Sequence, residues 1–388
     1  MNSIIEREHQ AVMQTYGRIP VVFVAGEGSW LIDDRGGRYL DCLTGLAVVS
    51  VGHANPRVAD AVNRQMRTLV HVSNLYFTEP MVDLAENLTR RSGLDRVFFA
   101  NCGATANEAA IKLARRWGQA RKGPDCYEIV SLNDSFHGRS LATLAATGQP
   151  AKQAVFQPLP TGFRQVPGDD LAAMEGAVGP NTAAVMVETT QGEGGVIPLS
   201  ADYLTGLRKL CDDRDVLLIV DDVQAGMGRT GSWFSWQQLG FEPDIATVAK
   251  ALANGLPIGA CMARDDVAKA FQPGDHATTF GGGPVVCAAA NAVFAEMEQR
   301  DVLANVMARS EQFRQGLGAL DGVLNVRGRG LLLAAVLDSE RAGEVATAAL
   351  GNGLVVNAVR PNAVRFAPPL TITEDEVETA VDLFANSL

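Results

Sequence analysis

The sequence has no cluster of basic residues and no long apolar run, and each absence excludes a class of protein. Its 33 Lys and Arg residues are outnumbered by 44 Asp and Glu residues, which gives a formal net charge of −11. Nucleic acids and anionic membrane surfaces require a clustered basic face, so we expect neither as a partner. The strongest apolar runs, at 216–220 and 331–337, are too short to cross a bilayer.

The sequence also has few cysteines, and they are scattered. The six lie at positions 42, 102, 126, 211, 261 and 287, without a Cys-x-x-Cys pair or His-rich neighbours. This pattern argues against a structural zinc site and against a disulfide framework. The first ten residues are charged and lack the apolar segment of a secretory signal. We therefore expect a cytoplasmic protein without a bound metal.

The chain has 388 residues, of which 47% are hydrophobic and 20% charged, as in ordinary soluble globular proteins. A chain of this length is too long to fold around one ordinary hydrophobic core. The middle of the chain alternates short apolar runs with amphipathic helical patterns. The predicted buried strands are 96–100, 128–132, 183–188, 216–221 and 245–249, and the clearest helices are 105–117 and 201–213. This alternation predicts an α/β fold with a mostly parallel central sheet covered on both faces.

The two ends of the chain have a different pattern. Residues 21–41 are typical of a hairpin, 285–317 of helix, and 322–337 and 355–366 of strands. We therefore predict three segments. Residues 1–47 form the N-terminal part of a small domain, 48–284 form a large α/β domain, and 285–388 complete the small α+β domain.

Polar residues follow several predicted parallel strands, at the edge where open α/β sheets bind ligands. After strand 96–100, Gly103 and Ala104 open a helix, and free backbone N–H groups at a helix N-terminus suit a phosphate. Alternatively, Thr105 and Glu108 form a capping box that needs no ligand. Local sequence favours neither interpretation.

Three further strands end in ionisable residues. Asp221 and Asp222 are adjacent, so they point to opposite sides and at most one faces a crevice. Lys250 follows a buried run, where burial would lower its pKa and make a neutral amine nucleophile for Schiff-base chemistry. The alternative is an exposed lysine, as most lysines are. Glu188 precedes a glycine loop containing Glu193, and here a simple turn is an equal alternative.

One motif matches a dinucleotide-binding pattern without its context. Gly226, Gly228 and Gly231 satisfy G-x-G-x-x-G after a strand, which would suggest an NAD-dependent dehydrogenase. Four residues separate the strand from the first glycine, and Ser-Trp-Phe-Ser-Trp follows where a helix should begin. No later strand ends in the acid that would contact a ribose. We therefore interpret this motif as a chance match.

Five motifs in order resemble the class III aminotransferases, which are fold-type I enzymes dependent on pyridoxal 5′-phosphate. They are Asn-Glu-Ala-Ala-Ile-Lys-Leu-Ala-Arg at 107–115, Ser-Phe-His-Gly-Arg at 135–139, Gln-Gly-Glu-Gly-Gly-Val at 191–196, Val-Gln-Ala-Gly-Met-Gly-Arg-Thr-Gly at 223–231 and Asp-His-Ala-Thr-Thr-Phe-Gly-Gly at 275–282. The resemblance covers nearly the whole chain and is strongest to the acetylornithine aminotransferases.

The resemblance implies a set of cofactor contacts. Lys250 would bond the cofactor covalently and then act as acid and base, and Asp221 would keep the pyridine nitrogen protonated. The remaining implied cofactor contacts are Gly103, Ala104, Phe136, Glu188, Asp222, Val223 and Gln224, with Thr279 of the partner subunit reaching the phosphate. A contact from the partner makes a homodimer the smallest active unit. His137 receives no role and is interpreted as a packed histidine.

The resemblance also implies substrate contacts. Arg139 would bind the α-carboxylate of the donor, helped by Thr278 and Tyr16. Glu193 and Arg365 would form a switchable pair, masked for the amine donor and opened for 2-oxoglutarate. The implied reaction is a ping-pong transfer from the terminal amine of N2-acetyl-L-ornithine to 2-oxoglutarate, giving the semialdehyde and glutamate, in arginine biosynthesis. The alternative donors are succinylornithine, ornithine, an acylated lysine and an acylated diaminopimelate.

The sequence departs from the family pattern near these residues. Cys102 stands where the family has Ser, Thr105 and Asp222 where it has Glu, and Gly283 where Asn is usual. Thr189-Thr190 replaces the usual Pro-Ile. None of these changes removes a catalytic group, but they weaken the assignment of the donor.

Overall fold

A seven-stranded sheet forms the centre of the computed structural model, which describes residues 3–388. The strands are β1 Phe23–Glu27, β2 Trp30–Asp33, β3 Arg38–Asp41, β4 Arg96–Ala100, β5 Glu128–Leu132, β6 Phe163–Val166, β7 Thr182–Val187, β8 Thr190–Gln191, β9 Ile197–Pro198, β10 Leu217–Asp221, β11 Ile245–Val248, β12 Gly259–Ala263, β13 Val323–Arg329, β14 Leu332–Leu337, β15 Leu354–Val355, β16 Asn357–Arg360 and β17 Ala363–Phe366.

Helices cover the sheets and join the strands. The α-helices are α1 Ile4–Ala11, α2 Thr44–Ala47, α3 Pro56–Thr68, α4 Glu79–Ser92, α5 Gly103–Lys122, α6 Leu141–Ala146, α7 Pro150–Gln153, α8 Leu171–Ala177, α9 Ala201–Arg214, α10 Asp265–Ala268, α11 Pro284–Gln299, α12 Val302–Gly318, α13 Ala342–Gly351 and α14 Glu374–Ala385. Short 3-10 helices span Ala154–Phe156, Ser235–Gln238 and Lys250–Ala253. Within the described chain, no helix is both long and apolar enough to cross a bilayer.

The central sheet has the order β4-β12-β11-β10-β7-β5-β6, and the predicted mostly parallel α/β sheet is confirmed. Strand β12 runs antiparallel to both β11 and β4, so β4 points the same way as β11 although the two are not neighbours. The other pairs are parallel. Six strands therefore end at one edge of the sheet, where polar loops and helix N-termini converge.

The central strands are apolar on both sides because helices cover both faces. All residues of β7, β10, β11 and β12 are buried, and Asp221 is the only acid among them. Helix α5 packs on one face through small residues, including Ala106, Ala110 and Ala114. A Cβ atom at Gly118 would lie 2.7 Å from the carbonyl oxygen of Cys126, so only glycine permits this close packing.

Helix α5 begins two residues before the capping box proposed for Thr105 and Glu108. Thr105 Oγ1 instead accepts the backbone N–H groups of Asn101 and Cys102, each at 3.0 Å. Glu108 accepts a hydrogen bond from Ser140 Oγ at 2.8 Å. The capping box between Thr105 and Glu108 is therefore not formed, and a capping box between Cys102 and Thr105 takes its place. It leaves the backbone N–H groups of Gly103 and Ala104 without acceptors among residues 3–388.

The chain ends meet in two smaller sheets. The segment predicted as a hairpin is a three-stranded meander, β1-β2-β3, and β3 pairs in parallel with β15 near the other end of the chain. The second sheet has the order β13-β14-β17-β16. This pairing joins both ends of the chain, while the domain boundaries at 47 and 284 stay a prediction.

Candidate active site

A cavity of about 360 Å³ opens at the carboxyl edge of the central sheet. Its walls come from the loops after β4, β5, β7, β10 and β11. The lining residues are Val48, Asn101, Cys102, Gly103, Ala104, Asn107, Phe136, His137, Gly138, Arg139, Glu188, Glu193, Asp221, Val223, Gln224, Ala249, Lys250, Gly255, Leu256, Pro257 and Ile258. Ten of the residues predicted from sequence therefore surround one space.

Asp221 is the centre of a buried hydrogen-bond network. Its Oδ2 atom lies 2.7 Å from His137 Nδ1 and accepts a hydrogen bond from Asn107 Nδ2, also at 2.7 Å. The backbone N–H of Val223 donates to Oδ1 at 3.1 Å. Thr247 Oγ1 donates to Asn107 Oδ1 at 2.6 Å and fixes the orientation of that amide. These donors compensate for burial of the carboxylate.

His137 is a functional residue that the sequence interpretation missed. It is buried, as expected of a packed histidine, but its ring also contacts Asp221. Burial alone would lower its pKa, yet the hydrogen bond and charge of Asp221 prevail and raise the pKa above the ordinary value. Asn107 was missed as a site residue too, although it is a polar residue on the apolar face of α5. A polar residue on an otherwise apolar helix face is the sequence signal that could have identified Asn107.

Asp222 faces away from the cavity, as strand alternation requires when Asp221 faces in. Its Oδ2 atom accepts the backbone N–H of Ser235 at 3.0 Å, and its Oδ1 atom is buried without a partner among residues 3–388. Burial raises the pKa of this carboxyl to about 7. The geometry gives Asp222 no direct contact with a ligand in this cavity, so its assignment as a cofactor contact stays a prediction.

Lys250 follows β11 and extends its side chain into the cavity. Its backbone has a φ of 38°, in the left-handed region that non-glycine residues rarely occupy. Such strain is concentrated at functional sites. Burial lowers the pKa of the ammonium, with Glu193 opposing that effect. The environment therefore favours a neutral amine, as proposed from the sequence.

The N-terminus of α5 provides an anion site beside Lys250. Gly103 and Ala104 are its first two residues and line the cavity. Among residues 3–388, neither backbone N–H has a hydrogen-bond acceptor. A Cβ atom at Gly103 would lie 2.7 Å from Val223 Cγ1, so glycine is required where these two segments meet. The helix dipole adds positive potential for a phosphate.

Arg365 and Glu193 form an ion pair at one side of the cavity. Arg365 Nη1 lies 2.6 Å from Glu193 Oε1 and donates to Gln224 Oε1 at 3.1 Å. Asn357 Oδ1 accepts from Arg365 Nε at 3.1 Å. Burial on its own would raise the pKa of Glu193, but the guanidinium of Arg365 brings it below the ordinary value. The pair is therefore ionised.

Glu188 holds two segments of the cavity wall together. Its Oε2 atom accepts the backbone N–H of Phe136 at 3.0 Å, and its Oε1 atom accepts that of Gly192 at 3.1 Å. Burial raises its pKa to about 7. Glu188 thereby fixes the backbone of Phe136, whose ring forms part of the cavity, next to the glycine loop of Glu193.

Three predicted residues lie outside this cavity within a single chain. Tyr16 is 72% exposed, with Arg18 over its ring at 5.2 Å. Thr278 and Thr279 line a separate groove, although Thr278 Oγ1 bonds to Asn101 Oδ1 at 3.2 Å and so approaches the cavity wall. Arg365 also lies behind the lining residues and reaches the cavity through Glu193 and Gln224.

The G-x-G-x-x-G segment is a packed turn without a following α-helix. Arg229 within it is buried and donates to the carbonyl oxygens of Leu331 and Pro368, at 3.1 and 2.5 Å. Burial lowers the pKa of Arg229 to about 9. These contacts fasten the segment to β14 and to the chain after β17, so the motif serves packing between lobes. Among residues 3–388, no group of three or more metal-ligating side chains could hold an ion.

The fold and the site define a pyridoxal-phosphate-dependent transaminase of fold type I. The model of the family "Aminotransferase class-III" matches residues 11–388. The chain belongs to this family of aminotransferases.

Several relatives are similar over nearly their whole length. An acetylornithine aminotransferase of Gloeobacter violaceus is 48% identical over 377 residues, covering 96% of this chain and 94% of the relative. One from Methanothermobacter thermautotrophicus is 46% identical, with coverage of 99% and 97%. The solved ornithine aminotransferase of Toxoplasma gondii has a TM-score of 0.95 at 34% identity, with coverage of 99% and 93%. The N-acetylornithine aminotransferase of Stenotrophomonas maltophilia has a TM-score of 0.85 at 34% identity, with coverage of 99% and 98%.

The residues of the cavity fit pyridoxal phosphate. The open N-terminus of α5 suits its phosphate, because the backbone N–H groups of Gly103 and Ala104 have no acceptor among residues 3–388. Asp221 offers a buried anion for a protonated ring nitrogen, and Lys250 offers an amine of lowered pKa for its aldehyde. No other cavity in the described chain combines these three groups.

Replacing Asp222 with Asn is expected to change how stability depends on pH. The carboxyl has a reference pKa of 3.8 and a folded pKa of about 7, so the folded state binds more protons between these values. The stability that Asp222 contributes is full below pH 3.8 and is lost as the pH rises through 7. Relative to the wild type, Asp222→Asn should gain on the order of 2–3 kcal/mol between pH 5 and pH 8.

Urea denaturation at the two pH values measures this change. The same exchange at the exposed Asp202 is the matched control and should show no comparable trend. A constant stability difference between Asp222→Asn and the wild type from pH 5 to 8 would contradict the raised pKa.

Proposed function

We propose that the enzyme transfers the terminal amine of N2-acetyl-L-ornithine to 2-oxoglutarate in a ping-pong reaction, giving the semialdehyde and glutamate. The observation that carries the proposal is the ion pair between Arg365 and Glu193, because Glu193 lines the same cavity as Lys250 and Arg365 lies directly behind it. An arginine that a carboxylate masks reversibly suits two substrates that bind in turn. The names of the relatives from Gloeobacter and Methanothermobacter support the donor.

Lys250 is the residue that we assign to chemistry. Bound pyridoxal phosphate supplies an electron-withdrawing ring that stabilises negative charge on the carbon bearing the amine. The lowered pKa of Lys250 favours loss of the Nζ proton, so the amine would bond the cofactor and later accept a proton from that carbon. Lys250 lies at the start of a strained turn and lines the cavity. Within residues 3–388 its Nζ forms no salt bridge to a carboxylate.

Asp221 supports this chemistry through its charge. Its carboxylate would accept a hydrogen bond from the protonated ring nitrogen of bound pyridoxal phosphate and so keep that nitrogen charged. His137 and Asn107 hold the carboxylate in place at 2.7 Å each, so it cannot turn away when substrates exchange. Gly103 and Ala104 bind the phosphate through backbone N–H groups at the helix N-terminus. Phe136, Val223 and Gln224 confine the ring between them.

Arg139 and Arg365 are assigned to different substrate carboxylates. Arg139 lies 5.7 Å from the centroid of the Phe136 ring, with its guanidinium free to receive the α-carboxylate of the donor. Arg365 stays neutralised by Glu193 while the uncharged part of the donor lies beside it. When 2-oxoglutarate enters, Glu193 moves aside and Arg365 binds the second carboxylate. Thr278 and Tyr16 complete the donor site from outside the single-chain cavity.

Other donors keep the same cofactor chemistry. Succinylornithine, ornithine, an acylated lysine and an acylated diaminopimelate each carry a terminal amine and a distal carboxylate. The TM-score of 0.95 to an ornithine aminotransferase favours ornithine as the second candidate. The family match over residues 11–388 leaves no role for an NAD-dependent dehydrogenase.

We propose a homodimer as the active unit, located in the cytoplasm and acting in arginine biosynthesis. Exposed apolar side chains lie around the groove of Thr279, with Leu75 at 84%, Phe77 at 95% and Phe280 at 68% exposure. Such a patch on one chain is typical of an interface. A partner covering it would bring Thr279 of the partner subunit to the phosphate site. All six cysteines are free thiols, which supports a reducing compartment.

Titration of the purified enzyme with single donors tests the reaction. With no 2-oxoglutarate present, N2-acetylornithine is expected to convert the absorbance band of the lysine-bound cofactor into that of the aminated cofactor. Ornithine and succinylornithine should require concentrations at least about tenfold higher, since every tenfold step reflects about 1.4 kcal/mol. A band that no donor discharges would refute the donor assignment and leave the fold intact.

Lys250→Ala is expected to abolish multiple turnovers, because both the bond to the cofactor and the proton acceptor are lost. Rates should fall by at least about a thousandfold. Lys209→Ala, at an exposed position on α9, is the matched control. Unchanged steady-state activity in Lys250→Ala would contradict the mechanism.

Glu193→Gln is expected to shift the balance between the two half-reactions. Without its anion Arg365 is unmasked, so glutamate should saturate the enzyme at about three- to tenfold lower concentration, while acetylornithine reacts less readily. Single-turnover absorbance measurements with each amino donor give both values. Equal changes for the two donors would show that the ion pair is structural only.

Phe280→Glu is expected to separate the proposed dimer and to reduce activity with it, because a charge in an apolar interface lacks a partner. Sedimentation should give about twice the 41.2 kDa chain mass for the wild type and one chain mass for the variant. Leu324→Glu, at an exposed site on β13, is the control. A monomeric wild type with full activity would refute the proposal.

A further inference from the structure

Two cations lie beside the ring of Phe136, and neither has a carboxylate partner among residues 3–388. Arg139 Cζ is 5.7 Å from the ring centroid, and Lys152 Nζ is 5.3 Å from it. Two arginines beside the glycine loop of Glu193 are paired: Arg365 with Glu193 and Arg360 with Asp134, each at 2.6 Å. The cavity therefore has one neutralised side and one side with two unpaired positive charges.

Lys152 is held in this place by its neighbours. It lies on the short helix α7 and donates to the side-chain oxygen of Gln149. The Nε2 atom of Gln149 donates in turn to the carbonyl oxygens of Asp134 and Ser135, at 3.3 and 3.2 Å. Those two residues directly precede Phe136. The ammonium is thus fixed relative to the same loop that carries Phe136 and Arg139.

The helix that carries Lys152 is anchored as well. Gln153 Nε2 donates to the carbonyl oxygens of Thr147 at 2.7 Å and Leu144 at 3.1 Å, so α7 is tied to the end of α6. A half-buried lysine with a fixed backbone and a fixed amide neighbour loses less side-chain freedom on binding an anion than a free surface lysine does.

Lys152 lies just behind the cavity lining, and two of the charged residues near it, Arg139 and Glu193, line the cavity. Burial lowers the pKa of its ammonium, the positive charge of Arg139 lowers it further, and Glu193 opposes both. The guanidinium of Arg360 acts in the same direction as Arg139. Two like charges held close together raise each other's energy, and an anion between them relieves that repulsion. A carboxylate is the anion that the substrates of an aminotransferase supply.

We propose that Lys152 is a substrate-binding residue that forms, with Arg139, a two-cation site for the distal carboxylate of the donor and selects N-acylated donors. The inference rests on the proposed function and adds a reason for its donor. At its distal end acetylornithine carries a carboxylate as its only charged group, beside a neutral acetamido group. Ornithine carries a carboxylate and, on the same carbon, a free ammonium. Two cations attract the carboxylate and repel the ammonium. Acylation makes that nitrogen neutral and so removes the repulsion.

Exchanging Lys152 for Met tests the selection. The value of kcat/KM for acetylornithine should fall about fivefold through KM, while that for ornithine is unchanged or rises, so their ratio falls about five- to tenfold. Lys152→Arg should restore the ratio because it keeps the charge. Lys209→Met removes a lysine charge at an exposed position on α9 and should leave both values unchanged. An unchanged ratio in Lys152→Met would overturn the proposal.

A binding measurement separates this inference from the proposed reaction. N-acetyl-L-norvaline is acetylornithine without its terminal amine, and L-norvaline is the matching analogue of ornithine. Calorimetry on the holoenzyme should show tighter binding of the acetylated analogue, with the preference reduced in Lys152→Met and kept in Lys152→Arg. If this holds while acetylornithine is not turned over, only the proposed reaction fails. If Lys152→Met keeps the full preference, the selection by Lys152 is refuted whatever the reaction is.

Discussion

The buried carboxylate of Asp221 is the constraint on which the rest of the site depends. A carboxylate at the end of a buried strand is costly unless donors surround it. Three separate segments contact it: the turn after β10 through the backbone of Val223, α5 through Asn107, and the loop after β5 through His137. Strand β11 acts indirectly, because Thr247 donates to Asn107 Oδ1 and orients that amide. The need to satisfy one charge therefore fixes the relative positions of the elements that form the cavity wall.

That same requirement explains the small residues around the site. Asn107 reaches Asp221 only if α5 packs closely on the sheet, and its buried face consists largely of alanines. Close packing at the start of the helix places Gly103 against Val223, where a Cβ atom would clash. The alanine-rich face of α5 lets the helix lie close to the sheet. The N-terminus of α5, the carboxylate of Asp221 and Lys250 therefore line one cavity.

Much of this arrangement could be predicted from apolar runs and the polar residues that end them. The five predicted central strands agree with the structure to within about two residues, because each is a short apolar run between turn residues. Strand β12 was not predicted, since Gly-Ala-Cys-Met-Ala has no β-branched or aromatic residue. Strand β12 lies between β4 and β11, so the two are not neighbours in the sheet. The residue pattern of a single strand does not indicate which strands pair with it.

The site residues also fall into two groups, those that follow predicted strands and those whose positions depend on packing or on a partner chain. Lys250, Asp221 and Glu188 follow strands, so their convergence was predictable from topology. The partners of Asp221 were not, because His137 and Asn107 come from a loop and a helix whose distance from β10 depends on packing. Tyr16, Thr278 and Thr279 were placed in the site by family resemblance, and in one chain they lie outside the cavity. In the proposed homodimer their contribution would depend on the partner subunit, and the sequence of one chain does not encode that contact.

In the proposed reaction, the distribution of charge around the cavity would let it serve two substrates in turn. On one side Glu193 neutralises Arg365, so an uncharged segment meets little net field there. On the other side Arg139 and Lys152 are unpaired within the described chain, and in the proposed reaction they would attract a carboxylate in both half-reactions. A dicarboxylate can displace Glu193 because it brings its own anion to Arg365, whereas a monocarboxylate donor cannot. The asymmetry between a paired and an unpaired side therefore lets one cavity distinguish a donor with one carboxylate from an acceptor with two, without a change of fold.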